Sequence, residues 1–114
     1  TPREWMKVGA DVGKLANEWA GRNDLVAYVG PGAGGPAPAR FIPDTAEIEV
    51  NVDVAFGAGV LPDDVDLLTR AGRYEHPRGT GAVLHEAFHA RFSMWDIEQA
   101  SKDLTQIIIL LFHL

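Results

Sequence analysis

Glu47-Ile48-Glu49-Val50-Asn51-Val52-Asp53-Val54-Ala55-Phe56 alternates polar and apolar residues. Ile48, Val50, Val52, Val54 and Phe56 fall on one side, and Glu47, Glu49, Asn51 and Asp53 on the other. A period of two belongs to a strand, whose successive side chains point to opposite faces. The pattern predicts an extended segment from Phe41 to Phe56, with its apolar side on a core and its acidic side in water. Acids on one strand face point in parallel and do not converge on an ion, so that side is expected to be solvated surface and not a cation site.

Upstream, Trp5, Val8, Val12, Leu15, Ala16 and Trp19 recur at helical spacing. Thr1, Pro2 and Glu4 form the start signal of that helix, as cap, first-turn proline and capping-box acid. Gly21 is the expected stop. Leu25 to Val29 is a short apolar run with the character of a buried strand. Gly30 to Pro38 follows, and is expected to be a flexible surface loop. Its Gly30, Gly32 and Gly35 satisfy the spacing of a dinucleotide fingerprint, but Pro36 and Pro38 deny the helix that would hold a pyrophosphate.

Downstream, Leu61 to Arg70 is predicted as a short helix opened by Pro62, Asp63 and Asp64, with Gly72 beyond it as a stop. Arg73 to Thr80 is expected to be a turn region that includes an exposed His76. A second long helix then carries Val83, Leu84, Ala87, Phe88 and Phe92 as its apolar anchors. Trp5, Trp19 and Trp95 are expected in core or interface positions. These elements make an α+β fold: a small twisted sheet packed by an N-terminal helix and by the helix that includes residues 85–89. The 114 residues suit one domain.

The formal net charge of -6, from 10 Lys+Arg against 16 Asp+Glu, argues against nucleic acid or an anionic membrane as partner. With no cysteine, thiolate metal sites and disulfides are excluded. No apolar leader opens the chain, and Ile107 to Phe112 is too short to span a bilayer, so a soluble and cytoplasmic setting is the expectation. That C-terminal run of six large apolar residues is expected either to close the core as a buried helix or strand, or to belong to a truncated domain or one that a partner or second copy completes.

The chemistry lies in His85-Glu86-Ala87-Phe88-His89. Histidines four apart on a helix share a face one turn from each other, so both imidazoles reach one ion. Zinc accepts neutral imidazole and prefers four ligands. Glu86 is turned about 100° around the axis from His85, which suits a general base more than a third ligand. The site residues are therefore His85 and His89 as metal ligands and Glu86 as catalytic base, with Zn2+ as cofactor and water attack on a carbonyl as the expected chemistry; the resemblance given below implies a peptide or protein as substrate. The alternative is an inactive metal-binding or protein-interaction domain that retains the same helix.

His85-Glu86-Ala87-Phe88-His89 resembles the HExxH signature of the zincin metallopeptidases. Uncharged Ala87, Phe88 and Ala90 match the longer pattern; Ala82 and Arg91 depart from it mildly. The resemblance implies a zincin-like half-domain, zinc-dependent peptide hydrolysis, and an edge strand that pairs with extended substrate, for which Glu47 to Val54 is the expected segment. Metzincins place Gly and His three and six residues past the second histidine; Phe92 and Trp95 stand there, so the resemblance is to the gluzincin branch. Gluzincins bring a Glu from a later helix, but Thr105 to Leu114 holds no acid. Asp96 would lie too far along a continuous helix to share the ion, and Glu98, Asp103 and His113 remain as third-ligand candidates, with Ser93 as a possible helix break.

Overall fold

The computed structural model describes residues 3–92 and Phe112. A 3-10 turn, Arg3–Trp5, runs into helix α1 (Met6–Ala20). Thr1 and Pro2, and the capping box with them, lie outside the described residues. Trp5, Val8, Val12, Leu15, Ala16 and Trp19 are all buried, as the helical spacing requires. Gly21 ends α1 at φ 66, and its amide donates to the Asn17 and Glu18 carbonyls. Only Gly adopts that left-handed conformation without a Cβ penalty. The Asn17 side chain then grips the next strand: Nδ2 donates to the Leu25 carbonyl at 3.1 Å and Oδ1 accepts the Leu25 amide at 2.9 Å.

Strands β1 (Val26–Gly30), β2 (Ala39–Ile42) and β3 (Glu47–Asn51) form one sheet in the order β1-β3-β2. β3 runs parallel to β1 and antiparallel to β2. The segment expected to be extended from Phe41 to Phe56 is thus two strands and a helix. Pro43, which has no amide to give a ladder, opens a turn closed by the Ala46 amide on the Pro43 carbonyl, with Ala46 at φ 55. At the other end, the Asn51 side chain accepts the Asp53 amide and starts α2 (Val52–Ala55). Val52 and Ala55, three apart, are the buried residues of that turn, so the apolar alternation past Asn51 belongs to a helix. The assignment of Glu47 to Val54 as a sheet edge is also corrected: β3 is central, and β1 and β2 are the edges.

One sheet face carries Ala27, Val29, Ile48, Val50, Ala39 and Phe41 in register. Ile48, Val29 and Val50 are fully buried there, beneath α1 and the last helix, α4 (Pro77–Arg91). The opposite face holds Glu47 and Glu49, both half-buried, and is not freely solvated. Glu49 accepts the Gly34 amide at 2.9 Å and Arg40 Nη2 at 3.2 Å. The Gly/Pro segment is a surface segment, but it is tied down at both strand residues beside it. Asn51 Oδ1 accepts the Gly32 amide and Asn51 Nδ2 donates to the Gly35 carbonyl at 2.6 Å.

Between α2 and α4 the prediction fails in detail. Leu61 to Arg70 holds only a 3-10 turn, Pro62–Asp64. The helix is α3 (Arg70–Glu75), capped by the Thr69 hydroxyl on the Gly72 amide at 3.0 Å. Gly72 sits inside it and does not stop it, because a Cβ there would collide with the Asp66 carbonyl. The expected turn from Arg73 to Thr80 is also largely helical: α4 starts at Pro77, which suits a first helical position. His76 is the joint between α3 and α4. Its ring is half-buried edge-on against Phe56, and Nε2 lies 2.8 Å from the Asp64 carbonyl. A carbonyl only accepts, so Nε2 carries the proton.

The C-terminal ends of α1 and α4 hold each other. Arg22 Nη1 donates to the Ala90 carbonyl at 2.9 Å, and Arg91 Nη1 donates to the Trp19 carbonyl at 3.1 Å. Each guanidinium thus satisfies a carbonyl in the last turn of the other helix, where the helix dipole favours positive charge. Phe112 packs against the core. Among the described residues no helix is long and apolar enough to cross a membrane.

Candidate metal centre

Helix α4 positions the site through its own burial pattern. Val83, Leu84, Ala87 and Phe88 are 0–5% exposed and fix the helix against α1 and the sheet. His85 is left exposed and His89 half-buried on the flank. Packed neighbours on both sides of each histidine limit how far the helix can rotate or slide.

The two imidazoles meet at their Nε2 atoms, 3.0 Å apart, with ring planes at 82°. In a tetrahedral site with Zn–N near 2.05 Å, two nitrogens stand about 3.3 Å apart. The observed spacing is a few tenths of an ångström short of that, a difference that small χ rotations absorb. His89 also lies in the last turn of α4, where the negative end of the helix dipole favours a cation. The donor set, the spacing and the field therefore all fit a divalent metal ion.

Glu86 is 8% exposed, the only buried charged residue among the described residues. Its carboxylate and the two imidazoles offer ligand atoms that lie within 4.8 Å of one another. A buried carboxylate needs partners, and Glu86 has one from an unexpected element: Oε1 accepts the Phe41 backbone amide of β2 at 3.0 Å. Phe41 is the residue that sequence reasoning missed. A backbone donor leaves no mark in the sequence, and the only hint was an acid set among apolar helix positions.

The structure brings His85, Glu86 and His89 together as expected. Among the described residues no further His, Cys, Asp or Glu joins the group. Asp96, Glu98, Asp103 and His113 lie outside the described residues, as do Ser93 and Trp95. His76 and the acidic strand residues Glu47 and Glu49 are not part of the cluster.

The strongest charge pairing elsewhere is Arg22 with Asp24, joined twice at 2.7 and 2.8 Å. The hydrogen bonds from Arg22 hold the Asp24 carboxyl below its ordinary pKa and raise that of the guanidinium. No family model, curated protein or solved structure matches this chain.

Proposed function

We propose that this chain is a zincin-type metallopeptidase domain, gluzincin-like in its motif, with His85 and His89 as zinc ligands and Glu86 as general base. The observation that carries this reading is the meeting of His85 Nε2 and His89 Nε2 at 3.0 Å with the Glu86 carboxylate in the same cluster. The α+β layer, with the motif helix beside the antiparallel edge strand β2, supports it further.

His85 and His89 would hold a zinc ion, which when bound would supply Lewis-acid polarisation of the scissile carbonyl and a more acidic water. Glu86, with Oε1 engaged by Phe41, would take the proton of the attacking water and pass it to the leaving amine. The substrate is a peptide or protein segment.

A second reading, a metal-binding domain without turnover, is favoured by one observation. Catalytic zinc takes three protein ligands, and among the described residues only two histidines are available beside the base.

Metal analysis with Glu86→Gln separates the two. The peptidase reading expects one zinc per chain in parent and variant, with peptide hydrolysis in the parent alone. Zinc in both with hydrolysis in neither leaves the binding reading, and a folded parent that takes up no zinc removes both.

A further inference from the structure

The hydrogen bond between β2 and Glu86 has a role beyond satisfying a buried charge. Asn51 donates its amide to the Pro38 carbonyl at 3.0 Å, which sets the phase of the β2–β3 ladder. In an antiparallel pair, alternate residues turn their backbone groups toward the partner. Pro38, Arg40 and Ile42 therefore face β3, and the amide of Phe41 points away from the sheet. Among the described residues β2 is an edge strand, and no strand receives that amide. Glu86 Oε1 receives it instead.

We infer that the Phe41 amide is the positioning group for the general base, holding the Glu86 carboxylate in one orientation beside the histidine pair. Three points converge on this. A free glutamate turns about three side-chain torsions, and its terminal torsion is broad. Here the carboxylate has one oxygen anchored on a strand and its stem anchored on a packed helix, two elements that belong to the same core. An amide-to-carboxylate bond is charge-assisted and stronger than a neutral one. Phe41 thus acts through Glu86.

The inference rests on the peptidase reading for its consequence, but its geometric core is testable without zinc or substrate. The first measurement is amide hydrogen exchange of the metal-free protein, read at Phe41. The Phe41 amide is expected to be protected in the parent, still protected in Glu86→Gln, whose side-chain carbonyl can accept the same bond, and at least tenfold faster to exchange in Glu86→Ala. A Phe41 amide that exchanges as an open edge amide in the parent, or that keeps its protection in Glu86→Ala, overturns the inference whatever the enzyme does. The second measurement compares Phe41→Pro, which removes the donor at a position where an edge strand tolerates proline, with Phe41→Leu, which keeps it. Both lose the aromatic ring. The expected result is zinc content equal in the two, with kcat at least tenfold lower in the proline variant and KM within about twofold. Equal kcat in the two overturns the positioning role. A higher kcat in Phe41→Pro overturns it as well, since the bond would then hold the base away from its work. Absence of hydrolysis in the parent refutes the peptidase reading alone and leaves the exchange result to stand. Should Phe41→Pro fail to fold, the exchange series decides.

Discussion

Two glycines in neighbouring helices give opposite answers to the same substitution. Gly72 lies inside α3 and Gly81 inside α4. Helix propensity alone favours alanine over glycine by about 0.5–1 kcal/mol in either place. At Gly81 nothing stands within 4 Å of an added Cβ, so the gain is expected in full. At Gly72 the Cβ would collide with the Asp66 carbonyl, a backbone group that cannot swing aside, and it would lie 2.9 Å from the Thr69 hydroxyl that caps the helix. Overpacking of this kind costs roughly 1–3 kcal/mol, and loss of the cap adds about 1. The clash therefore outweighs the propensity gain, and Gly72→Ala is expected to destabilise by about 1–3 kcal/mol. At about 2.1 cal/mol/K per residue for the entropy of unfolding, 1 kcal/mol moves Tm by about 4 °C in a chain of this size. Thermal melts followed by circular dichroism should show Gly81→Ala up by about 2–4 °C and Gly72→Ala down by about 4–12 °C. A Gly72→Ala protein as stable as the parent would refute the packing of α3 on the segment before it.

The remaining predictions concern the site and its supports. His85→Ala and His89→Ala should each abolish stoichiometric zinc uptake at pH 7, measured by metal analysis after dialysis, while leaving the melting temperature of the metal-free protein within a few degrees. Glu86→Gln should retain zinc and lower kcat by about 10²–10⁴-fold, the usual worth of a general base; an active Glu86→Gln protein would remove Glu86 from that role. Asn51→Ala strands the Gly32 and Asp53 amides and the Gly35 carbonyl, and should cost about 2–3 kcal/mol in urea denaturation. The Asp24 carboxyl has a folded pKa below its unfolded one, so its pairing with Arg22 stabilises the fold above the ordinary carboxylate range and that contribution fades as pH falls through the lowered value. Asp24→Asn should therefore lose a little stability at pH 7 and converge on the parent in strong acid; a gap that widens in acid would contradict the pairing.

What could be read from the residues was what depends on local periodicity. Trp5 to Trp19 and Val83 to Phe88 declare buried helix faces because apolar side chains recur at helical spacing, and Ile48 and Val50 declare a strand in the same way. The histidine pair was legible for the same reason, since a spacing of four residues fixes a shared face. The failures come where two periods agree by accident or where backbone decides. Val52 continues the strand alternation yet is the first residue of a helix, because one cap by Asn51 redirects the chain. Gly79 and Gly81 disguised the first turns of α4; Gly79 is required there since a Cβ would collide with the Phe56 ring. The central place of β3 depends on a parallel pairing with β1 across the Gly/Pro segment and β2, which no local pattern encodes. Phe41 contributes to the site through an amide every residue but proline possesses.

The crossed arginines at the ends of α1 and α4 make the two helices a single mechanical unit. Arg22 and Arg91 buckle them one residue beyond His89, so the turn that carries the histidine pair is held on that side. A substitution that shifts the end of α1, at Trp19 or Ala20, must move the Arg91 anchor and with it the last turn of α4. Under the proposed metal site, affinity should therefore respond to the packing of a helix that lies outside the histidine cluster, and screens for tighter or looser binding have as much to find along α1 as around the histidines themselves.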